Sequence, residues 1–182
     1  EGSYRLTEKE MGMLRDVCAH FDQVAVLLNV SNIIDMKWME ESEIASSVKT
    51  VMYIWQGGME GGNAVADVLS GAVAPSGKLT DTIARDLADY PSTKNYGGDT
   101  RNIYEEDIYV GYRYFETFAP ERVMFPFGYG LSYTDFVLEP GNGICDEKGK
   151  KLELEVTVKN TGDRRGKETV QVYVQAPQGR LG

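Results

Sequence analysis

Two short apolar runs that do not alternate constrain this chain most: Val24-Ala25-Val26-Leu27-Leu28-Asn29-Val30 and Val51-Met52-Tyr53-Ile54-Trp55. A strand with one wet face reads apolar and polar by turns, so an unbroken run of strand length fits a parallel strand covered on both faces. Helical patterns flank both runs. Thr7-Glu8-Lys9-Glu10 fits a capping box, in which the Thr7 hydroxyl serves the Glu10 amide and the Glu10 carboxylate reaches back, and apolar residues come after it at 11, 14, 17, 18 and 21. This predicts a helix of about four turns. A weaker amphipathic stretch runs from Met36 to Val48, and Glu60 to Leu69 reads as a helix closed by Gly71. The alternation of helix and strand implies an α/β layer.

From Ala74 the texture changes. Pro75-Ser76-Gly77 is a turn, Lys78 to Ile83 a short strand, and Tyr90 to Asn102 a long loop with no periodicity. Ile108 to Phe115 reads as extended and aromatic, and Phe125 to Tyr133 as an ordered turn segment pinned by aromatics between glycines. After Pro140-Gly141-Asn142-Gly143 the pattern becomes cleanly period two: Leu152, Leu154, Val156 and Val158 alternate with polar residues, and Val170, Val172 and Val174 repeat this. Two such strands begin a β-sandwich, but a sandwich closes its core with about seven strands and ~100 residues, and Asp135 to Gly182 supplies about half of that. Nor do two parallel strands make a doubly wound sheet of the usual five or six. The expectation is a piece of a larger protein.

Charge removes whole classes of partner. Lys plus Arg number 19 against 28 for Asp plus Glu, a net charge of -9 that repels a phosphate backbone or an anionic membrane surface. No apolar run approaches the roughly 20 residues of a membrane-spanning helix. Neither nucleic acid nor membrane is an expected partner. Cys18 and Cys145 offer no disulfide framework or metal spacing, and His20 is the only histidine, so no metal site is predicted. Both thiols read as free and no signal peptide is visible, which favours a cytoplasmic over a secreted setting. His20 reads as a surface residue at a helix end.

Three segments bear on chemistry. Gln56-Gly57-Gly58-Met59-Glu60-Gly61-Gly62 joins a buried strand to a helix, where α/β proteins present ligands. It lacks the Gly-Lys-Ser/Thr ending of a phosphate loop, and Glu60 stands where an anion would sit, so glycines that permit close chain approach are the favoured reading. Glu105-Glu106-Asp107, the densest acidic spot, precedes the aromatic stretch. Glu105, Glu106 and Tyr109 are therefore candidate substrate-binding residues, with a solvated acidic turn as the other reading. Tyr109, Tyr112, Tyr114, Phe115, Phe118, Phe125, Phe127, Tyr129 and Tyr133 form either a sugar-stacking platform or packing between elements. A Ser-His-Asp hydrolase lacks its nucleophile elbow here.

Several of these segments, in this order, resemble the non-barrel part of glycoside hydrolase family 3, the β-glucosidase and β-xylosidase family. They are Val24 to Val30, Trp55 to Gly71, Pro75-Ser76-Gly77-Lys78-Leu79, Tyr104 to Phe115, Phe125 to Tyr133, and Val158 to Asp163 with Val170 to Val174 after it. The resemblance implies an α/β fold: a partial α/β sandwich with a mostly parallel sheet, then the first strands of an incomplete fibronectin type III-like β-sandwich. The implied division is residues 1–90 for the sandwich, 91–134 for an aromatic-rich linker, and 135–182 for the truncated third domain.

The resemblance also implies a retaining exo-β-glycosidase that hydrolyses terminal non-reducing β-linked sugars, acting on an oligosaccharide or aryl β-glycoside with no cofactor. In the family a (β/α)₈ barrel Asp is the nucleophile and a Glu on a loop of the α/β sandwich is the acid/base. The barrel Asp has no counterpart here, and Glu1 is the one carboxylate near the place of that Glu, so the sequence assigns no catalytic residue beyond that candidate. A non-catalytic carbohydrate-binding or interaction module on the same scaffold is the alternative.

Overall fold

The computed structural model describes residues 4–146 and 150–175, which divide into two compact units, residues 4–66 with 79–129 and residues 67–78 with 130–146 and 150–175. In the first unit the capping box forms as the sequence predicts and opens α1 (Glu8–His20). Thr7 Oγ1 accepts from the Glu10 amide at 3.3 Å, and the Glu10 carboxylate accepts from the Thr7 amide at 2.7 Å. Leu14 and Cys18, one turn apart, are the buried residues of this helix. His20 ends it, with Nδ1 2.7 Å from the Asp16 carbonyl oxygen.

β1 (Val24–Leu28) lies parallel to β2 (Val48–Tyr53), in register from Val24 opposite Val48 to Leu28 opposite Tyr53, with an irregularity after Val24. Between them a 3₁₀ turn (Lys37–Glu40) and α2 (Ser42–Ala45) bury Trp38 and Ile44. These join Leu14, Cys18, Leu28, Ile34, Met36 and Ile83 in one core. The core covers one face of the strands, and Ala25 and Leu27 on the other face are exposed, so the expected two-sided cover is present on one side among the described residues. α3 (Gly61–Leu69) begins in the first unit and ends in the second, and it buries none of its residues. Its end matches the sequence reading: Gly71, at φ 78, donates its amide to the Val68 carbonyl at 3.0 Å.

The strand read over Lys78 to Ile83 shrinks to β3 (Ile83–Ala84), antiparallel to β4 (Val123–Phe125). Residues Ile108 to Phe115, read as extended, turn instead into α4 (Tyr112–Phe118). The cause is aromatic strand propensity overruled by helical packing. Phe115 and Ala119, at the helical spacing of four, are the buried pair, and Tyr114 meets Phe118 ring to ring at 5.7 Å across the same spacing. Gly111, at φ 59, makes the bend into this helix.

In the second unit β5 (Phe136–Cys145) and β6 (Leu152–Asn160) form an antiparallel ribbon, Phe136 opposite Asn160 and Cys145 opposite Leu152. The segment Pro140-Gly141-Asn142-Gly143, read as preceding the strands, lies inside β5 at a register irregularity between Pro140 and Gly143. A Cβ on Gly143 would stand 3.1 Å from a Leu154 methyl, which explains a glycine inside a strand. No ladder includes residues 170–174, so the second predicted strand is absent among the described residues.

The discontinuous piece 67–78 is fastened within this unit. Lys78 Nζ donates to the Gly130 carbonyl at 2.7 Å and pairs with Glu168 at 3.0 Å, both side chains being mostly buried. Burial pushes the Glu168 carboxyl up, but the Thr169 amide and the Lys78 ammonium outweigh it and hold it below its ordinary value. Tyr133 donates its hydroxyl to the Val68 carbonyl at 3.0 Å. Asn160 organises the turn after β6, accepting from Thr134 Oγ1 at 2.7 Å and from the Gly162 amide at 3.0 Å.

Candidate functional site at the strand ends

Ligands of parallel α/β sheets meet the carboxyl ends of the strands, so the site is built from the segments that leave β1 and β2 in the first unit. After β1 the chain turns back over β2: the Tyr53 hydroxyl accepts from the Ile34 amide at 3.3 Å and lies 3.3 Å from the Met36 sulfur. The N-terminal segment joins there. The Asp35 amide donates to the Tyr4 carbonyl at 2.7 Å, and the Arg5 guanidinium pairs with the Asp35 carboxylate at 3.3 Å. Asp35 also accepts from the Lys37 amide at 3.0 Å, so one residue ties the N-terminal segment to its own turn.

Three phenols gather in the same region. Burial pushes the Tyr4 phenol far up, and the neighbouring Tyr90 hydroxyl and the Asp35 carboxylate add to the shift. Burial likewise raises Tyr53, against the opposing donation from the Ile34 amide, and raises Tyr90, against donation from the Ala84 amide. The Tyr90 hydroxyl accepts from that amide at 2.8 Å and donates to the Thr82 carbonyl at 3.0 Å. All three therefore stay protonated near neutrality, as hydrogen-bonding groups rather than bases.

The loop after β2 is where sequence reasoning missed most. Trp55 sits at φ 51, in the left-handed region, where a bulky side chain is a true outlier that costs about 1–3 kcal/mol. Its ring stays half-buried, 5.1 Å from that of Tyr53 at an interplanar angle of 39°. No pattern in Tyr-Ile-Trp-Gln signals a positive φ, because the residue that usually marks one, glycine, stands two positions later. A Cβ on Gly57 would meet Gly61 Cα at 2.9 Å, so the glycines serve close chain approach, in line with the favoured reading of this segment. Met59 is fully exposed, and Asn63 donates to the Glu60 carboxylate at the opening of α3.

The remaining candidates lie on another loop of this unit. Glu1 is outside the described residues. Glu105 and Asp107 are exposed and Glu106 is half-buried, in a turn closed by the Tyr109 amide donating to the Glu106 carbonyl at 2.7 Å, with Asp107 at φ 48. The Tyr109 ring packs edge-on against Phe118 at 4.8 Å. Other aromatics pair in the same way, Tyr112 with Phe127 at 5.0 Å and Phe125 with Tyr129 at 5.2 Å. Mutual packing therefore accounts for much of the aromatic density.

The arrangement places a half-buried Trp55 ring beside phenols whose hydroxyls bond to the chain's own backbone. Comparison with known proteins decides the family. The model of the glycosyl hydrolase family 3 C-terminal domain matches residues 1–133. The chain belongs to glycosyl hydrolase family 3. It is 52% identical over 181 residues to a β-glucosidase of Ruminococcus albus, covering 100% of this chain and 18% of that protein. With β-glucosidase A of Butyrivibrio fibrisolvens it shares 47% over 197 residues, covering 100% of this chain and 23% of that protein. Among solved structures, a β-glucosidase from Paenibacillus barengoltzii superposes with a TM-score of 0.84 at 59% identity, over 89% of this chain and 18% of that one. The family 3 chain thus spans about a fifth of the curated relatives it matches. The α/β fold and the sandwich-opening ribbon read from sequence accord with this membership.

Proposed function

We propose that the protein containing this chain is a retaining, exo-acting β-glycosidase of the β-glucosidase kind, and that this chain forms the wall behind its reacting groups. The whole-length match of the chain to the Ruminococcus albus β-glucosidase carries this reading. Retention needs two carboxyl groups about 5 Å apart, one attacking the anomeric carbon and the other first protonating the leaving oxygen and then activating water. In the family reading the attacking Asp belongs to a barrel beyond this chain. The acid/base Glu comes from a loop near Glu1.

Tyr4 and Arg5, three and four residues after Glu1, are anchored to Asp35 at the carboxyl end of β1. That anchor gives a loop arriving there a fixed point of departure, which supports a positioning part for this segment. Residues 1–90 would then be sandwich, 91–134 linker, and 135–182 the opening of the third domain. Substrates would be terminal β-glucosides or β-xylosides, with no metal or cofactor in the step, and the two unbridged cysteines suit a reducing compartment.

The test is an assay of the intact protein on p-nitrophenyl β-glucoside and β-xyloside beside the isolated chain. Release of p-nitrophenol by the intact protein alone is the expected result. Turnover by the isolated chain would show that it holds both carboxyl groups, and sugar binding without turnover in the intact protein would favour a carbohydrate-binding module.

A further inference from the structure

We propose that Trp55 is a sugar-binding residue, its indole forming a stacking wall for a pyranose ring at the carboxyl end of β2. This rests on the glycosidase reading and adds a named contact to it. Strained backbone in a folded chain persists where the surroundings over-determine it, and such residues gather at ligand clamps, so a bulky residue at φ 51 calls for a reason beyond packing. The residue lies two positions beyond the last residue of β2, the region in which open parallel sheets hold their ligands.

Tyr53 fixes the indole from one side with rings 5.1 Å apart, and the amide of the intervening Ile54 is anchored to the Leu28 carbonyl at 3.1 Å. Ring and backbone are therefore both held. Beyond Trp55 the chain runs through exposed residues, Gln56 to Glu60, none of which belongs to the buried core. The C–H face of a pyranose is the chemical class that an aromatic wall of this kind accepts, while its hydroxyls face polar groups.

The experiment compares Trp55→Phe, Trp55→Ala and Trp55→Gly in the intact protein, reading melting temperature, kcat and KM on cellobiose and p-nitrophenyl β-glucoside, and quenching of tryptophan fluorescence by glucose. Phe should keep KM within about threefold, whereas Ala and Gly should raise KM about tenfold or more with kcat within about threefold, since a lost uniform contact moves KM alone. Gly relieves the backbone strain and so controls for folding. A Gly variant that melts at or above the native temperature with an unchanged KM overturns the proposal. Should the native protein turn over no glycoside, the glycosidase reading fails by itself, and glucose quenching still reads the wall: quenching present in the native protein and lost in Trp55→Phe supports it, and quenching absent or unaltered overturns it.

Discussion

The first unit buries Ile44 and Ile83 completely, whereas the ribbon of the second leaves Leu138, Leu152, Leu154 and Val158 between 43% and 56% exposed. Both regions are apolar in pattern. The difference is what stands opposite them. Helices adjacent in sequence, α1 and α2, cover one face of β1 and β2 and close a core locally. An alternating ribbon has no such neighbour and needs a facing sheet, which the described residues do not contain. Apolar pattern therefore announces a face to be buried, and connectivity decides whether the same stretch of chain can bury it.

The largest effect expected tests that contrast. Ile44→Ala and Ile83→Ala remove fully buried methylenes and should each cost about 2–5 kcal/mol in urea unfolding, transfer and cavity terms together. Leu154→Ala in the half-exposed ribbon should fall within about 0.5 kcal/mol. Equal costs in the isolated chain would break the comparison, whereas a larger cost for Leu154→Ala in the intact protein is what cover of the ribbon by the rest of the third domain would give.

Next in size comes the Lys78 and Glu168 pair, which holds residues 67–78 within the second unit. Removing one partner strands the other charge in a partly buried place, so Lys78→Met should cost about 1–3 kcal/mol. The double variant Lys78→Met, Glu168→Met should recover most of that loss, because two packed apolar chains replace a pair whose desolvation was never free. A double-mutant cycle by chemical denaturation reads the coupling. Additive losses would mean that the Gly130 carbonyl, not Glu168, is the partner that matters.

Legibility in the sequence divides along the same line. Wherever a local rule acts alone, the reading matches the structure: the Thr7 to Glu10 box, the apolar runs that become β1 and β2, and Gly71 at the end of α3. Where propensity and packing compete it does not. Tyr109, Tyr112, Tyr114 and Phe115 carry strand propensity, while Phe115 and Ala119 stand at helical spacing, and packing of Phe115 with Ala84 and Ala119 selects the helix. Gly141 and Asn142 carry turn chemistry, yet a bulge absorbs both within β5, between Pro140 opposite Val156 and Gly143 opposite Leu154. The candidate site is half legible. The apolar runs place the strand ends, but Asp35 as an anchor for Tyr4 and Arg5, and the strained Trp55, depend on long-range pairing that no spacing encodes.

The smallest effect lies at the start of the first unit, where burial contributes little and electrostatics can be read cleanly. Hydrogen bonds from the Thr7 amide, and then from its hydroxyl, hold the Glu10 carboxyl below its ordinary value of 4.5. A carboxyl depressed in the folded state lends stability that is fully present above its unfolded value and is lost as pH falls through the folded one. Hydrogen exchange at the first amides of α1 should accordingly quicken, relative to the rest of the core, as the pH is lowered past that range. Glu10→Gln keeps an acceptor but no titrating charge, and should flatten this dependence. Thr7→Ala, which deletes the cap hydroxyl, should cost about 1 kcal/mol at neutral pH. If the native and Glu10→Gln proteins lose protection in parallel on acidification, the Glu10 carboxylate is not what holds the start of α1 together.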